Sequence, residues 1–313
     1  MHSHHSHSGD YISHAYDPLE EMVQNYIDRG FDVLCLTEHM PRLDQVYLYP
    51  EEIEKGYGTK QLSDDFSKYL VHAKQVQEKY KDKIKIIVGF EIEGIDKAHL
   101  DLSAKTLQNP SVQMSVGSVH YVNKLPIDFS KELWKEAKAA SEGGLTRSLY
   151  KDYFKLVSNV IDLKPQVIGH FDLIRLCQPE DDFDETTNKL TKDVRIKEDW
   201  PDVWEVIVSV IEKAGSYGAM FELNSAAIRK GWDCPYPKSD IVKAVIEYGG
   251  GRFCLSDDAH SIKQIGLNYK KTLQYLKDHG VSKLYHLDLK DGKVVTVGEA
   301  IESIEKSPFW DVY

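Results

Sequence analysis

The sequence predicts an α/β chain of βα repeats around a parallel sheet. Short, almost wholly apolar runs recur along its 313 residues, as parallel strands covered on both faces require. Between them lie longer stretches of helical periodicity, and such alternation is the mark of a parallel sheet. Nearly every apolar run is also followed within a few positions by His, Asp, Glu or Asn.

In chain order, a His-rich N-terminal segment is the first strand candidate. The others are FDVLCLT (31–37), IKIIVGF (84–90), VQMSVGSV (112–119), PQVIG (165–169), GAMFELN (218–224) and RFCLS (252–256), seven strands in all. Helical patterns cover Pro18–Gly30, Asp64–Lys81, Thr146–Leu163, Pro201–Tyr217, Lys238–Tyr248 and Ser261–His279. Asp17-Pro18 fits an N-cap followed by proline at the first helical position. Gly30, Gly249–Gly251 and Gly280 stand where helix C-termini belong. Residues 40–63 and 179–197 read as loop insertions. KLYHLDLKDGKVVTV reads as a hairpin turning at Asp291-Gly292. No linker composition divides the chain, so one domain over 1–313 is expected.

A charge of −11 disfavours non-specific nucleic-acid binding, which needs clustered Lys and Arg. No apolar run approaches the roughly 20 residues of a membrane span, and the N-terminus is too polar for a secretory signal. Four widely spaced cysteines, Cys35, Cys177, Cys234 and Cys254, read as reduced thiols of a cytoplasmic protein.

The chain has 13 histidines, four of them in the first seven residues. The candidate strand ends give His5-Ser6-His7 then His14, Glu38-His39, Glu91, His120, His170 with Asp172, Asn224, and Asp258 with His260. In a parallel βα barrel all carboxyl ends of strands share one rim, so these residues converge in space. Residues two apart on a strand face the same side, which suits His5/His7 and Asp258/His260 to gripping one ion. Imidazole and carboxylate ligands favour Zn, Mn or Fe. Seven histidines and two acids exceed one tetrahedral set, so a multinuclear site is expected. His2-Ser3-His4 also satisfies the paired pattern. His72, His99, His279 and His286 lie within or beside helical or hairpin patterns and read as non-functional.

Taken in order, HSHSGDYISHA, LTEHMPR, GFE, SVHY, GHFDLIR, NSAAIRKGW and SDDAH resemble the polymerase and histidinol phosphatase (PHP) family of metal-dependent phosphoesterases. GHFDLIR and NSAAIRK are most similar to its monofunctional histidinol-phosphatase branch of fungal type. The resemblance implies a distorted (β/α)7 TIM-like barrel holding three divalent transition-metal ions. Carried over by position, His5, His7, Glu91 and Asp258 would hold the first ion. Glu91 would bridge to a second held by His120 and His170, and His14, His39 and His260 would hold the third. The choice of His5/His7 over His2/His4 rests on the SGDYISHA that follows. Asp258 is preferred to Asp257 by its spacing from His260. Glu91, Asp258 and His260 are carried over as catalytic as well as ligating.

The implied reaction is hydrolysis of a small phosphate monoester, L-histidinol phosphate, in histidine biosynthesis, by attack of a metal-bridging hydroxide. Three divalent ions outweigh two carboxylates, so the rim would attract a phosphate dianion despite the chain's charge. No CxxxxxR loop, DxDxT motif or Walker loop offers another phosphate chemistry. Arg175 and Arg229 are expected to clamp the phosphate, with Lys230 and Asn224 as further contacts. An ammonium on the substrate calls for a carboxylate, and Asp44, Glu51, Glu52, Glu54 and Asp172 are all available. No nucleic-acid or membrane partner is expected.

Overall fold

The computed structural model describes residues 1–311. Seven parallel strands follow one another around a barrel in sequence order: β1 (His2–Ser3), β2 (Val33–Leu36), β3 (Lys85–Glu93), β4 (Met114–Ser118), β5 (Val167–Ile168), β6 (Met220–Asn224) and β7 (Phe253–Ser256). Just beyond β7 the ring is joined back to the first segment: Ser6 pairs with Ala259, and His7 N–H donates to Ala259 O at 2.9 Å. Each strand is followed by at least one helix: α1 (Leu19–Asp28), α2 (Thr59–Tyr80), α3 (Lys97–Thr106), α4 (Lys131–Ala140), α5 (Thr146–Ile161), α6 (Pro201–Ser216), α7 (Ser239–Tyr248) and α8 (Tyr269–Asp278). Two of them, α4 and α5, follow β4. Among the described residues no helix is long and apolar enough to cross a membrane.

The strand sequences look continuously apolar because both faces are covered, yet the two faces do different work. Leu34, Ile86, Val88, Phe90, Phe221, Leu223, Phe253 and Leu255 point outward into the core shared with the helices. The alternate residues Val33, Cys35, Ile87, Met114, Val116, Val167, Met220 and Cys254 point inward and pack together low in the barrel. Continuing the same inward frame toward the carboxyl ends gives Glu91 and Glu93, Glu222 and Asn224, and Ser256. The barrel therefore has an apolar floor and a polar roof, and the roof is the site.

The hairpin β8 (Lys283–Lys290) and β9 (Lys293–Ala300) closes the floor, with Leu287 packed into the inward cluster. It turns at Asp291-Gly292, both at positive φ, as expected. His4 belongs to this floor: its Nε2 accepts the Leu287 N–H at 3.0 Å, and its Nδ1 lies 3.0 Å from Leu255 O. His2 accepts the Leu255 N–H and stacks on His286 at 5.1 Å.

Several expected boundaries move. Asp17 does not cap α1; its carboxylate accepts the Ile262 N–H, while Asp10 accepts the Leu19 N–H. The helix expected over 261–279 shortens to α8, because positive φ at Gly266 and Asn268 ends the preceding turn. Residues 40–63 are not one loop but a helical turn at Gln45–Tyr47, a short helix at Pro50–Glu54 and the start of α2. The segment 179–197 holds a small hairpin, Phe183–Asp184 with Lys189–Leu190, and the start of a short helix, Ile196–Asp199. Cys35 and Cys254 lie inside strands as packing residues, and all four cysteines are free.

Candidate metal centre and active site

The rim collects ligand atoms from every side. Four overlapping groups each have three donor atoms within 4.8 Å of one another: His5–His7–Asp258, His5–Glu91–His170, His39–Glu91–His120 and His7–His39–His260. They contain eight of the nine expected ligands. His14, the ninth, stands beside them, its ring 4.9 Å from that of His260 and 5.5 Å from that of His39. Glu91 is central: Oε2 lies 3.2 Å from His5 Nε2 and 2.7 Å from His39 Nδ1, and Oε1 lies 3.2 Å from His170 Nε2. The groupings overlap at His5, His7, His39 and Glu91.

Local backbone explains the convergence. Glu91 sits on the inward frame of β3. Gly169 is required beside His170, because a Cβ there would lie 2.3 Å from Ser118 Oγ. Asp258 adopts a left-handed φ of 48°, uncommon outside glycine. This turns its carboxylate to 3.4 Å from His7 Nε2, while its carbonyl oxygen stands 2.9 Å from His260 Nδ1.

Behind the ligands stands a layer of carboxylates, of which the sequence singles out Glu38 as a strand end but not Glu93 or Glu222. Glu222 lies 3.1 Å from His5 Nδ1, Glu93 lies 3.0 Å from His120 Nδ1 and Glu38 lies 3.4 Å from His7 Nδ1. Glu222 also accepts the His170 N–H and the Ser256 hydroxyl. Carboxylates on the far ring nitrogen fix ring orientation and turn Nε2 toward the centre. Glu93 and Glu222 were legible in principle, each two positions from a residue already singled out.

The electrostatics ask for cations. Glu38, Glu91, Glu93, Glu222 and Asp258 are all buried. Among the described residues their ion-pair partners within 4.0 Å are histidines, apart from Arg42 at 3.8 Å from Glu93. Burial opposes ionisation of Glu91, yet the surrounding imidazoles hold its carboxyl well below the usual range. Burial likewise opposes protonation of His39, but Glu91 and Glu93 push it up to about 10. Buried charge is costly unless compensated. His5 Nε2, His7 Nε2, His14 Nδ1, His39 Nδ1 and Glu91 Oε2 are buried without a hydrogen bond. A donor set of buried, inward-facing and unsatisfied N and O atoms fits divalent transition metals.

Above this cluster lies a cavity of about 400 Å³, lined by His14, His39, His120, His170, Asp258 and His260 and by Arg229 and Lys230. Arg229 comes from the turn Ala226–Arg229 and its Nη2 donates to Asp258 O at 3.1 Å. Arg175 is not brought to this cavity. Its guanidinium makes two hydrogen bonds to Asp240, at 2.8 and 2.6 Å, and lies off the metal rim. Asn224 is also off the cavity wall, with Nδ2 2.9 Å from Glu222 Oε1 and 3.4 Å from Asp258 Oδ2; it braces the ligands from behind. Asp172 does not touch His170; it accepts the Lys238 N–H.

Two HxH pairs three residues apart thus face different layers, one the floor and one the rim. His5→Ala or His7→Ala should abolish activity and lower metal content. His2→Ala and His4→Ala should instead lower thermal stability with metal content retained. Metal analysis and thermal melts of the four variants would reverse this assignment if the losses fell the other way.

Barrel and donor set together define a parallel βα barrel with a candidate metal centre on its carboxyl rim. Residues 3–226 match the family model described as PHP domain. A Saccharomyces cerevisiae protein named histidinol-phosphatase is 35% identical over 89% of this chain and 88% of its own. A Schizosaccharomyces pombe protein named "Probable histidinol-phosphatase" is 36% identical over 99% of this chain and 96% of its own. Among solved structures, a Listeria monocytogenes protein aligns with TM-score 0.68 at 22% identity, covering 87% of this chain and 99% of that one. The Lactococcus lactis histidinol phosphate phosphatase, solved with zinc, L-histidinol and phosphate, aligns with TM-score 0.63 at 18% identity over 94% of this chain and 98% of its own. The chain belongs to the PHP family.

Proposed function

We propose that this chain is a phosphomonoesterase that hydrolyses L-histidinol phosphate to L-histidinol and phosphate in histidine biosynthesis. The observation behind this is a small cavity in which two cationic side chains, Arg229 and Lys230, border a cluster of buried metal donors. Relatives matched over 88% and 96% of their own length, named histidinol-phosphatase and "Probable histidinol-phosphatase", support the choice of substrate.

His5, His7, Glu91 and Asp258 are assigned to one ion, Glu91, His120 and His170 to a second, and His14, His39 and His260 to a third, with zinc, manganese or iron as the metals. Bound divalent ions supply Lewis acidity and an activated water. The protein's own groups do the rest. Arg229 presents a planar fork for two phosphate oxygens, and Lys230 adds a mobile positive charge at the mouth. Glu38, Glu93 and Glu222 hold the imidazoles in register so that little reorganisation accompanies the reaction. A cavity of about 400 Å³ suits a small monoester, and a chain charge of −11 disfavours a polyanionic strand.

The test is a substrate panel on metal-loaded protein: histidinol phosphate, an aryl phosphate and a dinucleotide. Histidinol phosphate should be turned over with the highest kcat/KM, and a chelator should abolish the activity. Preference for the dinucleotide would replace this reading with another phosphoesterase, and chelator-resistant hydrolysis would remove the metals from it.

A further inference from the structure

One carboxylate in the cavity has no work in the scheme above. Asp128 follows the small hairpin formed by Tyr121–Val122 and Leu125–Pro126 and precedes Ser130, whose hydroxyl caps α4. Ile127 N–H donates to His120 O at 2.9 Å, so the segment is tied to a ligand-bearing residue. Asp128 lines the cavity beside His120, His170, Tyr49 and Phe129. Its Oδ1 is buried and makes no hydrogen bond, and among the described residues Asp128 has no ion pair within 4.0 Å.

The other candidate acids are paired or, like Glu54, lie outside the cavity lining. Glu91 and Asp258 face the metal donors. Glu51 Oε1 lies 3.5 Å from His14 Nδ1, Glu52 pairs with Arg42, Asp44 caps the turn at Gln45–Tyr47, and Asp172 lies 3.7 Å from Arg175. An unpaired carboxylate repels a phosphate dianion and loses hydration in the cavity. A substrate that brings a cation to it offsets both costs.

Resting on the phosphatase reading above, we propose that Asp128 is the receptor for the substrate's ammonium and makes the cavity selective for aminoalkyl phosphate monoesters. The phosphate is drawn to Arg229 and the metal donors. The ammonium, a few bonds away on the same molecule, takes Oδ1 of Asp128 as its acceptor. Phosphates without a cation meet the same carboxylate as a penalty, so one side chain both favours the cognate substrate and discriminates against others.

The experiment compares histidinol phosphate with its deamino analogue, 3-(imidazol-4-yl)propyl phosphate, in the metal-loaded wild type and in Asp128→Asn. The wild type should prefer histidinol phosphate. In Asp128→Asn, kcat/KM for histidinol phosphate should fall roughly 10- to 100-fold, as expected for a lost charge-assisted hydrogen bond, and the ratio of the two substrates should collapse toward unity. Asp128→Glu should restore part of that ratio. Metal content and thermal melting report that the variant is folded. An equal fall for both substrates would overturn the proposal, since it would make Asp128 a leaving-group acid or a structural residue. An unchanged ratio in an otherwise active enzyme would also overturn it while leaving the phosphatase reading in place. A wild type inactive on histidinol phosphate would instead defeat that reading itself.

Discussion

Glu91→Gln should remove most bound metal and nearly all activity, an effect on a par with loss of His5 or His7. Glu91 is fully buried, and its two oxygens face different histidines, Oε2 toward His5 and His39 and Oε1 toward His170 and His120. The amide keeps the shape but removes the charge and leaves only one oxygen acceptor, so donors on both sides lose their shared partner. The fair comparison is Glu93→Gln. Glu93 stands on the outer ring nitrogen of His120 and shares His39 Nδ1 with Glu91, and replacing such an outer partner costs about 10- to 100-fold in affinity or activity. The loss at Glu91 should exceed that range, and metal content should fall in parallel with rate. Elemental analysis beside kinetics decides the matter: a Glu91→Gln protein with full metal and full rate would remove Glu91 from the centre.

The sites of success and failure in the sequence have a common physical origin. Strand number and order were legible because buried parallel strands are short and apolar and because each ends in a polar side chain. Glu93 and Glu222 escaped although they obey the two-residue period: Glu222 lies inside an apolar run, and Glu93 lies past one whose end Glu91 already marks, so neither looks like an inward-facing brace. Arg175 shows the opposite limit. Proximity to a rim in sequence does not set the direction of a long side chain, and its partner Asp240 lies 65 residues away on α7. The two HxH pairs could not be ranked by spacing alone, since the difference is how far the barrel floor rises, and that is set by a hairpin near position 287. Asp128 carried no motif at all. Only burial and the absence of a partner mark it.

Arg229→Ala should cut kcat/KM for histidinol phosphate by roughly one to two decades, the equivalent of about 1.5–3 kcal/mol for a lost charge-assisted hydrogen bond. Arg229 is the arginine on the cavity wall; Asp240 holds Arg175 away from it, and Arg42 pairs with Glu52 behind the donors rather than lining the cavity. Its Nη2 also holds Asp258 O, so a displaced ligand is a second route to the same loss. Metal content separates the two routes: it should remain close to wild type, because Asp258 keeps its carboxylate against His5 and His7 and its carbonyl against His260. Arg229→Lys should recover part of the rate, since an ammonium restores charge but not the planar fork. Lys230→Ala should cost less, because Lys230 is exposed at the mouth and well solvated. Inhibition by inorganic phosphate should weaken in step with the loss of kcat/KM, as the product uses the same contact. Wild-type kinetics and wild-type phosphate inhibition in Arg229→Ala would leave the metal donors as the sole phosphate anchor.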